Sequence, residues 1–240
     1  MHDGAPAPVY LADYTPYPFA VTAVSLTFRL APRATRVVAR IGFTPRTPGA
    51  DLRLDGEGLR LIRAAVDGRV LDLAPDATGL TVPAALLPPG PFTLETEVEI
   101  APEGNTALEG LYMSRGMYCT QCEAEGFRRI TFYPDRPDVM APFRVRIEAD
   151  LPVLLSNGNL VGSGPGWAEW DDPWPKPAYL FALVAGDLVA TRDRFVTRRG
   201  RAVDLAIWVR PGDEGRTGWA MEALKRSMRW DEEVCGREYD

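Results

Sequence analysis

The chain has 240 residues, 46% of them apolar and 25% charged, enough for a sizeable core in one large domain or one domain and part of another. Its 22 prolines and 22 glycines favour many short strands and turns over long helices. A net charge of −6 argues against a nucleic-acid or anionic-membrane surface, and no apolar run approaches the ~18 residues that span a bilayer.

The opening Met1-His2-Asp3-Gly4 has neither a basic region nor an apolar stretch of the kind that begins a secretory signal. Three cysteines, an odd number, fit a reducing compartment, so the expected setting is cytoplasmic. His2 is the only histidine and stands at a terminus expected to fray. Catalytic zinc sites draw on several His, or on Cys with His, so this chain holds no peptidase zinc site and no Ser-His or Cys-His nucleophile.

Val24–Leu30 alternates, with Val24, Leu26, Phe28 and Leu30 on one face, and Thr35–Phe43 repeats the pattern, so the two are predicted to pair as a hairpin. Leu59–Val66 and Arg69–Leu73 flank Asp67-Gly68, the residue pair suited to a two-residue type I′ turn. Leu80–Val82 is a short strand. Phe92–Ile100 alternates again with Glu95, Glu97 and Glu99 outward. An irregular centre, Asn105–Pro142, follows. Strand patterning resumes at Phe143–Ala149 and Val153–Ser156, and Asn157-Gly158 is a second hairpin signal. Tyr179–Ala185 reads as a strand buried on both faces. Asp193–Thr197 and Val203–Val209 continue as β, and Thr217–Cys235 has helical spacing with Gly236 as its stop. These signals describe an all-β domain to about residue 189, then strands and a helix of a second unit. The Trp219/Leu224/Met228 face of that helix is expected to lack a partner beyond the strands before it.

Three groups invite chemistry. Cys119 and Cys122 form a C-x-x-C, but a closed zinc site needs four ligands and only Cys235 remains, so packing thiols are the preferred reading. Trp167, Trp170 and Trp174 suggest either a binding platform or aromatics that pin a Pro-rich loop. Thr120–Arg128 places an amide, a thiol and two carboxylates on five neighbours, a loop whose polar side chains suit one small cationic group.

Thr120–Arg128 also carries a resemblance, together with Asn105–Tyr112, Asp135–Phe143, Leu154–Asn159, Asp172–Leu188 and Trp219–Asp240. In these blocks, from about Tyr10 to Asp240, the chain resembles the bacterial aminopeptidase N family of gluzincin-type zinc aminopeptidases. The resemblance implies a mainly β architecture: a saddle-like, sandwich-like N-terminal β-domain over residues 1–189, then the first strands and helix of a thermolysin-like catalytic domain over 190–240. It implies that Gln121 and Glu123 bind the free α-amino group of a peptide substrate, and that a non-proline cis peptide follows Glu123. Zinc is implied for the whole enzyme but not for this stretch, because the G-x-M-E-N and H-E-x-x-H motifs are not in it. The expected partners are peptides and the catalytic domain, and the stretch alone is expected to be inactive. The contrasting reading is a free-standing β-sandwich module that binds carbohydrate or protein through Trp167, Trp170 and Trp174.

Overall fold

The alternating stretches become the middle of an eight-stranded sheet in the computed structural model, which describes residues 10–239. His2 and the expectation attached to it lie outside the described residues. β1 (Phe19–Arg29) and β2 (Thr35–Pro45) form the predicted antiparallel hairpin. β1 starts before its alternation does, because the register shifts between Val21 and Ala23. That bulge buries Phe19 and Val21 in one phase and Val24, Leu26 and Phe28 in the other.

β3 (Leu52–Asp55) is too short to show a period and has no counterpart among the predicted strands. It pairs with β6 (Gly79–Val82) in a small ribbon. β4 (Arg60–Val66) and β5 (Arg69–Leu71) are joined through Asp67 and Gly68, whose φ angles of 48° and 80° are those of the predicted I′ turn. β7 (Phe92–Ile100) runs between β2 and β4 and buries Phe92, Leu94, Thr96, Val98 and Ile100.

The centre expected to be irregular contains a hairpin, β8 (Gly110–Ser114) and β9 (Met117–Gln121), turned by Arg115 and Gly116 at φ 50° and 84°. Arg at the first turn position hides a signal that Asn or Asp would have given. β10 (Met140–Glu148) lies parallel to β1. β11 (Val153–Ser156) and β12 (Asn159–Gly164) do not pair, which corrects the hairpin expected at Asn157-Gly158. They belong to different sheets. The Asn157 side chain accepts from Ala182 N–H at 2.6 Å and donates to Leu180 C=O at 3.1 Å, which holds the crossing.

β13 (Trp167–Pro177) is a strand where a Pro-rich loop was expected. β12 accompanies it only as far as Asp171, so beyond that point one edge is open and the alternate prolines 173, 175 and 177 can sit there without removing a ladder bond. The run Tyr179–Ala185 is shared between a 3-10 turn at Ala178–Leu180 and β14 (Leu183–Gly186), and Leu180 is exposed. The large sheet has the order β12-β13-β10-β1-β2-β7-β4-β5, and the four-stranded sheet β11-β14-β9-β8.

The chain forms two units, one up to Asp150 with Leu154–Val184, the other Leu151–Val153 with the chain from Ala185 on. The first is centred on aromatic rings. Phe127 meets Tyr133, Phe143 and Phe181 edge-on at 5.0, 5.9 and 5.3 Å, and Phe28 stacks on Phe181 at 5.9 Å. In the second, β15 (Val189–Val196) and β16 (Ala202–Val209) pair, followed by α1 (Gly218–Trp230). The helix continues through a π turn, Asp231–Cys235, and stops at Gly236 with φ 65°, as the sequence predicts. Of the expected Trp219/Leu224/Met228 set, Trp219 and Leu224 stay 82% and 38% exposed, and Met228 finds only the preceding strands, packing with Met221 against Phe195, Val203 and Leu205. At 100° per residue, Trp219 lies opposite Met221 and Met228. Among the described residues no helix is long and apolar enough to cross a membrane.

Candidate functional site

The loop after β9 is shaped by two glycines in close contact. Gly110 opens β8 opposite Gln121. A Cβ on Gly126 would lie 2.4 Å from Gln121 O and 2.9 Å from Gly110 N, backbone atoms that cannot move aside. Gly110, at φ +70°, would bring its own Cβ within 2.7 Å of Arg129 Cβ. Gly126 N–H then closes the loop on Cys122 C=O at 2.8 Å. The bond between Glu123 and Ala124 is cis.

Gln121 and Glu123 are both exposed, and the structure joins them through one hydrogen bond: Gln121 Nε2 donates to the Glu123 backbone C=O at 3.0 Å. A carbonyl oxygen can only accept, so the amide NH2 must face it, and Oε1 is left to accept from elsewhere. The Glu123 carboxylate has no ion pair or hydrogen bond to any described residue.

Its neighbour differs. Glu125 pairs with Arg128 Nη1 at 3.3 Å. Arg128 turns at the same time to buried Asp135: its N–H and Nε donate to Asp135 Oδ2 at 3.0 and 3.2 Å, and Nη2 to Asp135 C=O at 3.3 Å. Asp135 N–H donates to Asp55 Oδ2 at 3.0 Å, and Asp55 at the end of β3 exchanges backbone hydrogen bonds with Tyr133 at 2.8 and 3.1 Å. Burial pushes the Asp135 carboxyl above its ordinary range, against the hydrogen bonds and charge of Arg128. Asp55 has no signal in the sequence, because its partner is eighty residues away.

Residues 72–180, which include this loop with Arg128 and Asp135, match the family model for the Peptidase M1 N-terminal domain. The chain carries an M1 peptidase N-terminal domain. It is 53% identical over 252 residues to aminopeptidase N of Caulobacter vibrioides and 47% identical over 245 residues to aminopeptidase N of Escherichia coli, covering 100% and 98% of this chain. It spans 29% and 28% of those two proteins. The crystal structure of Legionella pneumophila aminopeptidase A in complex with aspartic acid superposes with a TM-score of 0.87 at 33% identity, over 95% of this chain and 28% of that one.

The cysteines and the tryptophans stand apart from the exposed Gln121 and Glu123 side chains of this M1-type loop. Cys119, Cys122 and Cys235 are all free. Cys119 sits within β9, whereas Cys122 is buried beyond its end, and burial with the nearby Asp135 charge pushes its thiol up to about 12. Such a thiol stays protonated and is a poor nucleophile or ligand. Among the described residues no three His, Cys, Asp or Glu side chains come together as metal ligands. Trp170 Nε1 donates to Leu154 C=O at 3.1 Å, and the Arg146 guanidinium covers the Trp167 ring at 4.3 Å. Trp174 is 63% exposed and stands apart from these contacts, so no three-ring platform forms.

Proposed function

We propose that the M1 domain described here holds the free α-ammonium of a peptide for an aminopeptidase, with Gln121 and Glu123 as the binding groups. The observation that carries this reading is the unequal treatment of the two loop acids: Arg128 takes Glu125 and leaves Glu123 unpaired. An exposed carboxylate beside an amide oxygen with no protein donor among the described residues is a set of acceptors, suited to a cation with several N–H donors. An internal peptide bond has no such cation, so binding here would restrict cleavage to the first residue of a chain.

The zinc of such an enzyme does not fit this chain. Its one histidine is His2, and the described residues contain no ligand cluster. In this reading the metal and the hydrolytic step belong to the remainder of a protein about as long as its relatives, of which this chain spans under a third. The 240-residue chain alone is expected to show no turnover of an aminoacyl p-nitroanilide; turnover that survives repurification would contradict this. The proposal keeps a cytoplasmic setting, supported by the odd cysteine count.

The test is Glu123→Ala in the full-length protein. Removing one partner of a charged pair costs ~2–5 kcal/mol, so kcat/KM should fall by ~30-fold or more at unchanged metal content. A near-wild-type value would take Glu123 out of the site.

A further inference from the structure

Among the described residues, Arg128 is tied to both the loop and its support, and its partners are acids other than Glu123. On the domain side it makes two hydrogen bonds to Asp135, Nε to the carboxylate and Nη2 to the backbone C=O, while the Arg128 backbone N–H donates to the same carboxylate, which is 2% exposed. On the loop side it reaches Glu125, 68% exposed. The next arginine, Arg129, is engaged by Glu57 at 2.8 Å and Glu109 at 3.1 Å. Both cations that follow the loop are therefore held by acids other than Glu123. A cation left without its partner beside an unpaired carboxylate would pair with it and occupy the place of a ligand.

We propose that Asp135 and Arg128 are a positioning pair that reserves the Glu123 carboxylate for a ligand's ammonium group. This rests on the reading of Gln121 and Glu123 as the amine site. Asp135 acts through Arg128 and touches no substrate. Its carboxylate accepts from Arg128 Nε and holds a guanidinium side chain that is 17% exposed, and Asp55 fixes Asp135 in turn through its backbone N–H. Two consequences distinguish this pair from mere scaffolding. Loss of the Asp135 charge should weaken amine binding because a cation is set free. Removal of that cation as well should restore part of the binding, although one more native contact is gone.

The experiment is a double-mutant cycle in the full-length protein with Asp135→Asn, Arg128→Gln and the double variant. The readouts are KM and kcat for an aminoacyl p-nitroanilide, and the ratio of the inhibition constant for N-acetyl-L-leucine to that for L-leucine, which differ in the ammonium group. Asp135→Asn should shrink that ratio by about tenfold and act mainly on KM, and the double variant should recover at least about threefold of it. Glu125→Gln, an exposed change, should leave the ratio within about twofold, since Asp135 still holds Arg128. A ratio unchanged in Asp135→Asn overturns the proposal, as does a double variant no better than the single one, or a collapse in Glu125→Gln. Arg128→Lys keeps the charge but not the fork of donors, and should shrink the ratio like Asp135→Asn. If neither Asp135→Asn nor Arg128→Lys folds, the pair is structural and the proposal falls. Glu123→Gln separates the two ideas: an unchanged ratio there sinks the amine site itself, whereas a collapse there with no effect of Asp135→Asn sinks only the positioning role.

Discussion

Cys122 and Glu123 are adjacent and experience opposite surroundings. The strand β9 ends at Gln121, and the turn closed by Gly126 leaves Cys122 buried and Glu123 in solvent. Burial holds the Cys122 thiol protonated up to about 12, against an ordinary value of 9.0. Iodoacetamide at pH 8 should therefore label exposed Cys235 first and leave Cys122 unmodified until the chain unfolds. Peptide mass spectrometry reads both sites, and equal labelling rates would show that Cys122 is neither buried nor protonated. The sign of the linkage follows from the same shift. The folded state holds this proton more tightly, so the contribution of Cys122 to stability is present below pH 9 and is lost as pH rises toward 12.

At the scale of the elements, β2, β7 and β4 share a charged ladder on their outward face. Arg36 meets Glu97 and Glu99 at 3.1 and 3.0 Å, Arg60 also meets Glu99, and Glu95 lies between Arg40 and Arg63 at 3.4 and 3.6 Å. Opposite charges directly across a sheet favour this register over its neighbours. The Arg60 hydrogen bond, with Arg36 adding to it, holds Glu99 below its ordinary 4.5. A depressed carboxyl stabilises the fold above that ordinary value and loses its contribution as pH falls through the folded value. The urea midpoint should fall between pH 5 and 3, and Glu99→Gln should flatten that slope. An equal slope in the variant would remove Glu99 from the acid response. At pH 7 the arginines of these pairs are exposed enough for salt to screen them, so the midpoint should fall slightly between 0.1 and 1 M NaCl.

At the scale of the whole molecule, each unit has its own core, and the second is the smaller. Its apolar cluster is Phe195, Val203, Leu205, Met221 and Met228, so each member carries a large share of the burial. Met221→Ala should cost ~2–5 kcal/mol, the range for deleting a large buried side chain. Trp219→Ala, two positions earlier but 82% exposed, should stay within about 0.5 kcal/mol. Denaturant unfolding of the two variants checks this, and a larger loss for Trp219 would mean that its ring is covered in the folded chain.

The sequence by itself determined whatever depends on neighbours along the chain. Strict alternation marked β2 and β7 because the side-chain period of a strand is two residues. Asp67-Gly68 marked its turn because both positions need positive φ, and Gly236 marked the helix stop for the same reason. The composition of Thr120–Arg128 marked the candidate loop. Tertiary structure decided what depends on residues far apart. It set β10 parallel to β1, and it sent Asn157-Gly158 from one sheet to another instead of into a hairpin. It turned Met221 and Met228 of α1 inward and Trp219 outward. Glu123 and Glu125 are equivalent as letters two positions apart in an exposed loop. The resemblance alone singled out Glu123; the physical difference comes from the fold, because Asp55 and Asp135 are brought together from eighty residues apart and Asp135 holds the Arg128 guanidinium that also pairs with Glu125.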